Sequence, residues 1–260
     1  MKYRTLAAAP ALLVGLVLVV WGLAPAEARP AVLAAAVESA KVLALVGCGV
    51  AAWTFEPADY LRRAWLLLAA GTLFLFGRGV VALAAGPVLA QGVLATVGNG
   101  CSVAGTWVLA RAWTMAGLDE GDAPTGKWPL RTAAIALSLL VTGWPLVGDL
   151  AALARGDAFA IVPLVSDVAD TVVLALLAPL LRTTLALQGG VLRWPWALLT
   201  AGNLLWLLFD ALYGVLGLLQ IDPSRTRMAT EALRVVATLY TASAGFAQRR
   251  AVRTVVTEAG

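Results

Sequence analysis

Apolar residues run along this chain in long blocks instead of alternating with polar ones, and charges, prolines and glycines mark the breaks between blocks. A helix that crosses about 30 Å of hydrocarbon needs roughly 20 mostly apolar residues. Eight stretches have that length, approximately 6 to 26, 31 to 53, 61 to 84, 88 to 112, 130 to 150, 159 to 181, 195 to 219 and 228 to 248. Between them lie Pro30, Glu56-Pro57-Ala58-Asp59, Gly86-Pro87, the polar run from Asp119 to Lys127, Arg155-Gly156-Asp157, Gln188-Gly189-Gly190 and Asp222-Pro223-Ser224. Residues of these types end or interrupt helices. The pattern predicts an all-α integral membrane protein of about eight transmembrane helices, forming one polytopic domain over residues 1–260.

The pattern also repeats. Trp65-Leu66-Leu67-Leu68-Ala69-Ala70-Gly71-Thr72-Leu73 returns as Trp196-Ala197-Leu198-Leu199-Thr200-Ala201-Gly202-Asn203-Leu204, 131 positions later. With small gaps Glu38 falls near Asp170, and Val103-Ala104 with Trp107 meets Val236-Ala237 with Tyr240. Halves of about 1–127 and 128–260 then hold four spans each. An even number keeps both halves in the same orientation, so a 4+4 parallel repeat about an axis along the membrane normal is expected.

Composition narrows the chemistry. With 61% hydrophobic and 13% charged residues and a mean hydropathy of +0.86, the chain departs far from the ~25% charged residues of soluble domains. It contains no histidine. That excludes His-ligated zinc, iron and haem and the Ser-His-Asp and Cys-His dyads, and no metal or cofactor is implied. Cys48 and Cys101 fall in apolar runs, where a free cysteine behaves as a small hydrophobe. The formal charge of +4 has no basic stripe among aromatics behind it, so no nucleic-acid partner is expected.

The basic residues instead report topology, because cytoplasmic loops are enriched in Lys and Arg. Lys2, Arg4, Arg62, Arg63, Arg111, Lys127, Arg131, Arg182, Arg193, Arg249, Arg250 and Arg253 lie on one side of the predicted spans; Arg29, Arg155, Arg225 and Arg227 lie on the other. Both termini are therefore expected in the cytoplasm. Trp53, Trp65, Trp113, Trp128, Trp194 and Trp196 near that side, with Trp21 and Trp144 near the opposite one, read as interfacial belts. Met1-Lys2-Tyr3-Arg4, the first apolar run and Ala26-Glu27-Ala28 have the layout of a secretory signal. The run exceeds the roughly 7 to 15 residues of a signal core, and the repeat assigns it a partner, so it is read as a span.

Eight charges fall inside spans: Glu38, Lys41, Arg78, Asp167, Asp170, Asp210, Glu231 and Arg234. An ionised side chain near the bilayer centre costs at least about 2.5 to 3.5 kcal/mol, so such residues face the bundle interior and pair. In the expected topology all eight share the outer half of the membrane. The pairs Glu38 with Lys41, Asp167 with Asp170, and Glu231 with Arg234 are spaced i,i+3, on one helical face each. Asn203, Trp206, Asp210 and Tyr213 form a further stripe. Together they suggest one outward-facing polar chamber for a small ligand, ion or proton, with Asp167 beside Asp170 as the place for a shared proton. Gly77-Arg78-Gly79, and Gly98-Asn99-Gly100 with Ser102, read as sites of close helix packing.

Val162-Pro163-Leu164-Val165-Ser166-Asp167 through Leu174-Ala175-Leu176-Leu177, followed by Leu198-Leu199-Thr200-Ala201-Gly202 through Asp210-Ala211-Leu212-Tyr213, resembles the multi-span sensor regions that precede diguanylate cyclase and histidine kinase modules in bacteria. Those regions often carry Tyr-Pro-x-x-Asp at the start of one helix and Asp-x-x-Tyr in the next. Here Val162 replaces the tyrosine and the Pro-to-Asp spacing is one residue longer, and no catalytic module is expected after Gly260. The resemblance covers about 60 residues plus the weaker first-half copy, and implies a membrane-embedded sensor or accessory subunit, not itself an enzyme. Such a protein would sit in the bacterial inner membrane and signal to a separate cytoplasmic or membrane partner. A small secondary transporter using intramembrane carboxylates is the competing expectation, and a lipid-modifying enzyme built on paired aspartates a third. A retinal photoreceptor is disfavoured because Lys41 is the one lysine in a span and the last helix has none.

Overall fold

A computed structural model of the chain describes residues 3–115, 127–186, 190–219, 221 and 223–259, and all secondary structure among them is helical. The α-helices are α1 (Tyr3–Leu23), α2 (Arg29–Ala52), α3 (Tyr60–Leu83), α4 (Val88–Met115), α5 (Lys127–Ala154), α6 (Ile161–Ala186), α7 (Arg193–Leu218) and α8 (Pro223–Ala259), with one 3-10 turn at Ala158–Ala160 ahead of α6. Each coincides with one apolar block. Among the described residues α1 to α4 are long and apolar enough to cross a membrane.

Local chemistry sets the ends. Pro30 falls in the first turn of α2, where its missing N–H is no loss, so that helix begins at Arg29 and not beyond the proline. The Asp59 carboxylate accepts the Leu61 N–H at 2.8 Å and caps α3. At its other end α3 closes with the Gly86 N–H donating to the Val81 carbonyl at 2.8 Å and Ala85 at φ 52°. The α5 end closes likewise, Asp157 N–H to Ala152 carbonyl at 3.1 Å with Gly156 at φ 92°. Both are six-to-one closures that turn the chain within a few residues.

The largest departure from the expected boundaries is α8. Its apolar block, 228 to 248, is only the middle of a 37-residue helix, about 55 Å long at about 1.5 Å per residue. Pro223 is tolerated in its first turn, and no proline or glycine interrupts residues 249–259. Hydropathy reports the part that hydrocarbon would accept, and no helix breaker stops the helix beyond it.

Packing separates a ring from a periphery. α3 packs on α4 and α7 on α8; α2 packs on α3 and α6 on α7; α2 also lies on α8 and α4 on α6. Outside this ring α1 leans on α2 and α8, and α5 on α6 and α7. Their outer faces are apolar and exposed, Leu12 at 70%, Leu23 at 83% and Leu140 at 81%, an exterior suited to hydrocarbon and not to water.

Small residues let the ring helices touch. A Cβ on Gly47 would lie 2.5 Å from the Ala242 carbonyl oxygen, and one on Gly245 would run into the Gly47 backbone. Around that α2–α8 crossing Ala44, Cys48, Ala51, Ala244 and Ala247 are fully buried. On the α3–α4 contact Gly71 faces the Gly98 carbonyl, and Gly105 faces Leu68 and the Ala64 carbonyl. Gly98 and Ser102 thus pack as expected. Gly77 and Gly100 do not, since Gly77 has only Leu94 near 3.8 Å and Gly100 has open space. The belt reading also fails for two tryptophans: Trp65 and Trp196 are 1% and 6% exposed and belong to the hydrophobic core. Their helices belong to the ring, so burial against neighbouring helices overrides the interfacial preference.

Candidate functional site

The ring encloses a cavity of about 610 Å³, lined from α2, α3, α4, α6, α7 and α8. Its walls follow helical periodicity. On α3 the lining is Leu68, Thr72, Leu75 and Arg78; on α7 it includes Leu199, Asn203, Trp206 and Phe209, each 131 positions further along. The Thr72 hydroxyl donates to the Leu68 carbonyl at 2.9 Å and the Asn203 amide to the Leu199 carbonyl at 2.8 Å, the same bond at matching positions. On α4 the lining includes Ala95, Asn99 and Thr106, and on α8 Thr230, Arg234 and Thr241.

Within the cavity the charges are unevenly settled. The Lys41 ammonium donates to the Glu38 carboxylate at 2.7 Å and to the Leu75 carbonyl at 3.0 Å, tying α2 to α3. Gly79 makes room for this pair, since a Cβ there would collide with the Glu38 carboxylate. On α8 the Arg234 guanidinium donates to both Glu231 oxygens at 3.0 and 2.9 Å, and it lies 5.7 Å from the Phe209 ring. Those two pairs are neutral. Arg78 forms no ion pair or hydrogen bond with a described residue, although Glu38 and Arg234 lie within electrostatic reach.

The wall formed by α6 and α7 differs. Asp170 and Asp210 face each other at hydrogen-bonding range, and Asp167 lies one turn before Asp170 with its buried Oδ2 unpartnered among the described residues. No cationic side chain pairs with any of the three among the described residues. Asp149 at the end of α5 adds a fourth carboxylate within electrostatic reach of Asp167.

Away from this charged end the lining is hydroxylic. Ser102 donates to the Gly98 carbonyl at 3.0 Å, Thr106 to Ser102 at 2.9 Å and Thr238 to Arg234 at 2.8 Å. Each hydroxyl proton is committed to its own helix, so what remains for a guest is acceptor lone pairs. Asn99 donates to the Ser166 hydroxyl at 3.0 Å, joining α4 to α6.

Of the residues expected to share a chamber, Lys41, Arg78, Asp167, Asp170, Asn203, Asp210, Glu231 and Arg234 line this cavity. Glu38 stands beside it, paired with Lys41. The side chain of Tyr213 lies outside the described residues. Sequence reasoning missed Thr72, Thr106, Ser166, Thr238 and Thr241 as lining, and assigned Asn99 and Ser102 to packing. Their signal was present as polar residues at i,i+3 and i,i+4 spacing in otherwise apolar helices. No family model matches the chain, and neither a curated protein nor a solved structure matches it.

Proposed function

We propose that this chain is a membrane-embedded receptor, a sensor or accessory subunit that binds a small charged ligand in the ring cavity and passes its occupancy to a separate partner. One observation carries the reading: α8 lines the cavity at Thr230, Glu231, Arg234, Thr238 and Thr241 and continues without a break to Ala259. A single rigid helix thereby joins the cavity to the basic segment Arg249, Arg250 and Arg253. Arg250 lies 5.2 Å from the Tyr3 ring, itself stacked on Trp194 at 5.9 Å, so a tilt of α8 would be felt by α1 and α7 at the basic end. Ligand contacts that favour one tilt are all such a device needs.

In this reading all eight helices span a bacterial inner membrane, both termini are cytoplasmic and the cavity faces outward. The 4+4 parallel repeat belongs to the same proposal. It is supported by the ring being made of the second, third and fourth helices of each half and by the matching lining of α3 and α7. The protein carries out no chemistry itself. A transporter is the second reading, favoured by that same two-fold layout around a central cavity. Reconstitution into proteoliposomes with an Asp170→Asn control separates them. Absence of saturable flux, together with a ligand-dependent change in the environment of a probe near Arg253, is the expected result. Saturable uptake abolished by the substitution would overturn the receptor reading.

A further inference from the structure

The unsettled charges of the cavity fall on two sides, and we infer that its ligand is a small zwitterion, with an ammonium group held between the carboxylates of α6 and α7 and an anionic group met by Arg78 of α3. This rests on the receptor reading and supplies its ligand class. Glu38 and Glu231 already have their cations in Lys41 at 2.7 Å and Arg234 at 2.9 Å. What remains is Arg78 on one side and Asp167, Asp170 and Asp210 on the other, without ion-pair partners among the described residues. Arg234 is within electrostatic reach of both Arg78 and Asp210, so the cationic and anionic sides adjoin there and a short molecule can straddle them.

Simpler ligands fit less well. An anion alone would meet three carboxylates, and a cation alone would leave the Arg78 guanidinium, an exposed side chain that lines the cavity, without a counter-charge. An inorganic cation wants convergent oxygen ligands, and among the described residues no group of three or more His, Cys, Asp or Glu side chains is arranged to hold a metal ion. An ammonium can instead distribute its donors over separate acceptors. The surroundings supply them in the Asp170–Asp210 pair, the buried Asp167 Oδ2 and the hydroxyl oxygens deeper in. Trp206, edge to face with Phe209 at 5.6 Å, adds an aromatic ring of the kind that attracts organic cations, the Phe209 ring being already met by Arg234.

A cavity of about 610 Å³ accommodates a free amino acid or betaine with water, or the headgroup of an ethanolamine or choline phospholipid. The shared chemistry is the zwitterion, and the source is resolved by experiment. The protein is reconstituted in phosphatidylglycerol nanodiscs, and binding of glycine betaine, free amino acids, choline and acetate is measured by calorimetry. A second set of nanodiscs contains phosphatidylethanolamine, with retained lipid identified by native mass spectrometry.

A soluble zwitterion binding at least tenfold tighter than choline and acetate supports the inference, as does selective retention of phosphatidylethanolamine that Asp210→Asn abolishes. Arg78→Gln is expected to weaken the zwitterion tenfold or more and leave choline unchanged, whereas Asp210→Asn weakens both. Arg78→Lys and Asp210→Glu, which keep the charges, retain measurable binding and exclude misfolding as the cause. Choline binding as tightly as betaine, indifference to Arg78→Gln, or no binding by any probe or headgroup overturns the inference. The receptor reading fails separately: a zwitterion bound by this pattern but carried across a proteoliposome membrane sinks the receptor and leaves the ligand class standing. A response of α8 to choline alone does the reverse.

Discussion

The wall formed by α2 and α3 and the wall formed by α6 and α7 line one cavity, yet they hold charge in different ways. In the first, Glu38 is answered by Lys41 at 2.7 Å, and that ammonium also meets the Leu75 carbonyl at 3.0 Å. In the second, Asp170 faces Asp210, and where α3 has Arg78 the matching position on α7 is Phe209. In the first wall the Glu38–Lys41 pair serves as structure, while Glu38 Oε2 and the Arg78 guanidinium have no hydrogen-bond partner among the described residues. The second leaves carboxylates facing the cavity, which is how a site reserves interaction energy for a ligand at some expense to its own stability.

That contrast is open to direct test, because charge removal should have opposite signs on the two walls. Lys41→Met leaves the Glu38 carboxylate without its cation, and removing one partner of a buried pair costs about 3–5 kcal/mol. A large fall in thermal midpoint in lipid nanodiscs is expected, partly restored in the Glu38→Gln, Lys41→Met double variant. If the single variant melts like the parent, the first wall is not structural. Gly245→Ala comes next, since its Cβ meets the Gly47 backbone, which cannot rotate away. Overpacking of that kind costs about 1–3 kcal/mol. Gly79→Ala, facing the end of the Glu38 side chain, should cost less, and a reversed order would mean that the α2–α8 crossing is looser than its glycines imply.

On the second wall, Asp210→Asn should raise the midpoint of the ligand-free protein by about 1 kcal/mol equivalent, the reward for removing a destabilising feature of a binding site, even as it weakens binding. A drop in stability would erase the difference between the walls. The smallest effect is expected from Arg250→Ala, which removes the cation 5.2 Å from the Tyr3 ring. Such a contact is worth about 0.5–1 kcal/mol at an exposed site. Its sharper readout is a probe on α1, which should lose its response to the cavity while the midpoint barely moves.

Much of this was legible in the residues. The apolar blocks located all eight helices, since the hydrophobic period and the Pro, Gly and Asp breakers act locally. Only α8 was badly bounded, because residues 249–259 carry Arg249, Arg250, Arg253 and Glu258 and are helical all the same. The i,i+3 spacing correctly joined Glu38 to Lys41 and Glu231 to Arg234, as neighbours on one helix must be. It said nothing of Lys41 reaching Leu75 on α3 or of Asn99 reaching Ser166 on α6. Trp65 and Trp196 misled for the same reason: position along a helix tells depth, whereas burial depends on which face meets a neighbour.

By itself, then, the sequence determined the helices, the absence of histidine chemistry and which charges lie far from the helix ends, because these follow from composition and from periodicity within one segment. Tertiary structure alone decided that α1 and α5 stay outside the ring and that the hydroxyls of α3, α4 and α8 join the charged residues around one space. It also decided that three aspartates are left without cations among the described residues while two glutamates are not. These outcomes depend on helix rotation and on the glycine crossings that set how closely helices approach, and neither quantity is written in the hydropathy of any single helix.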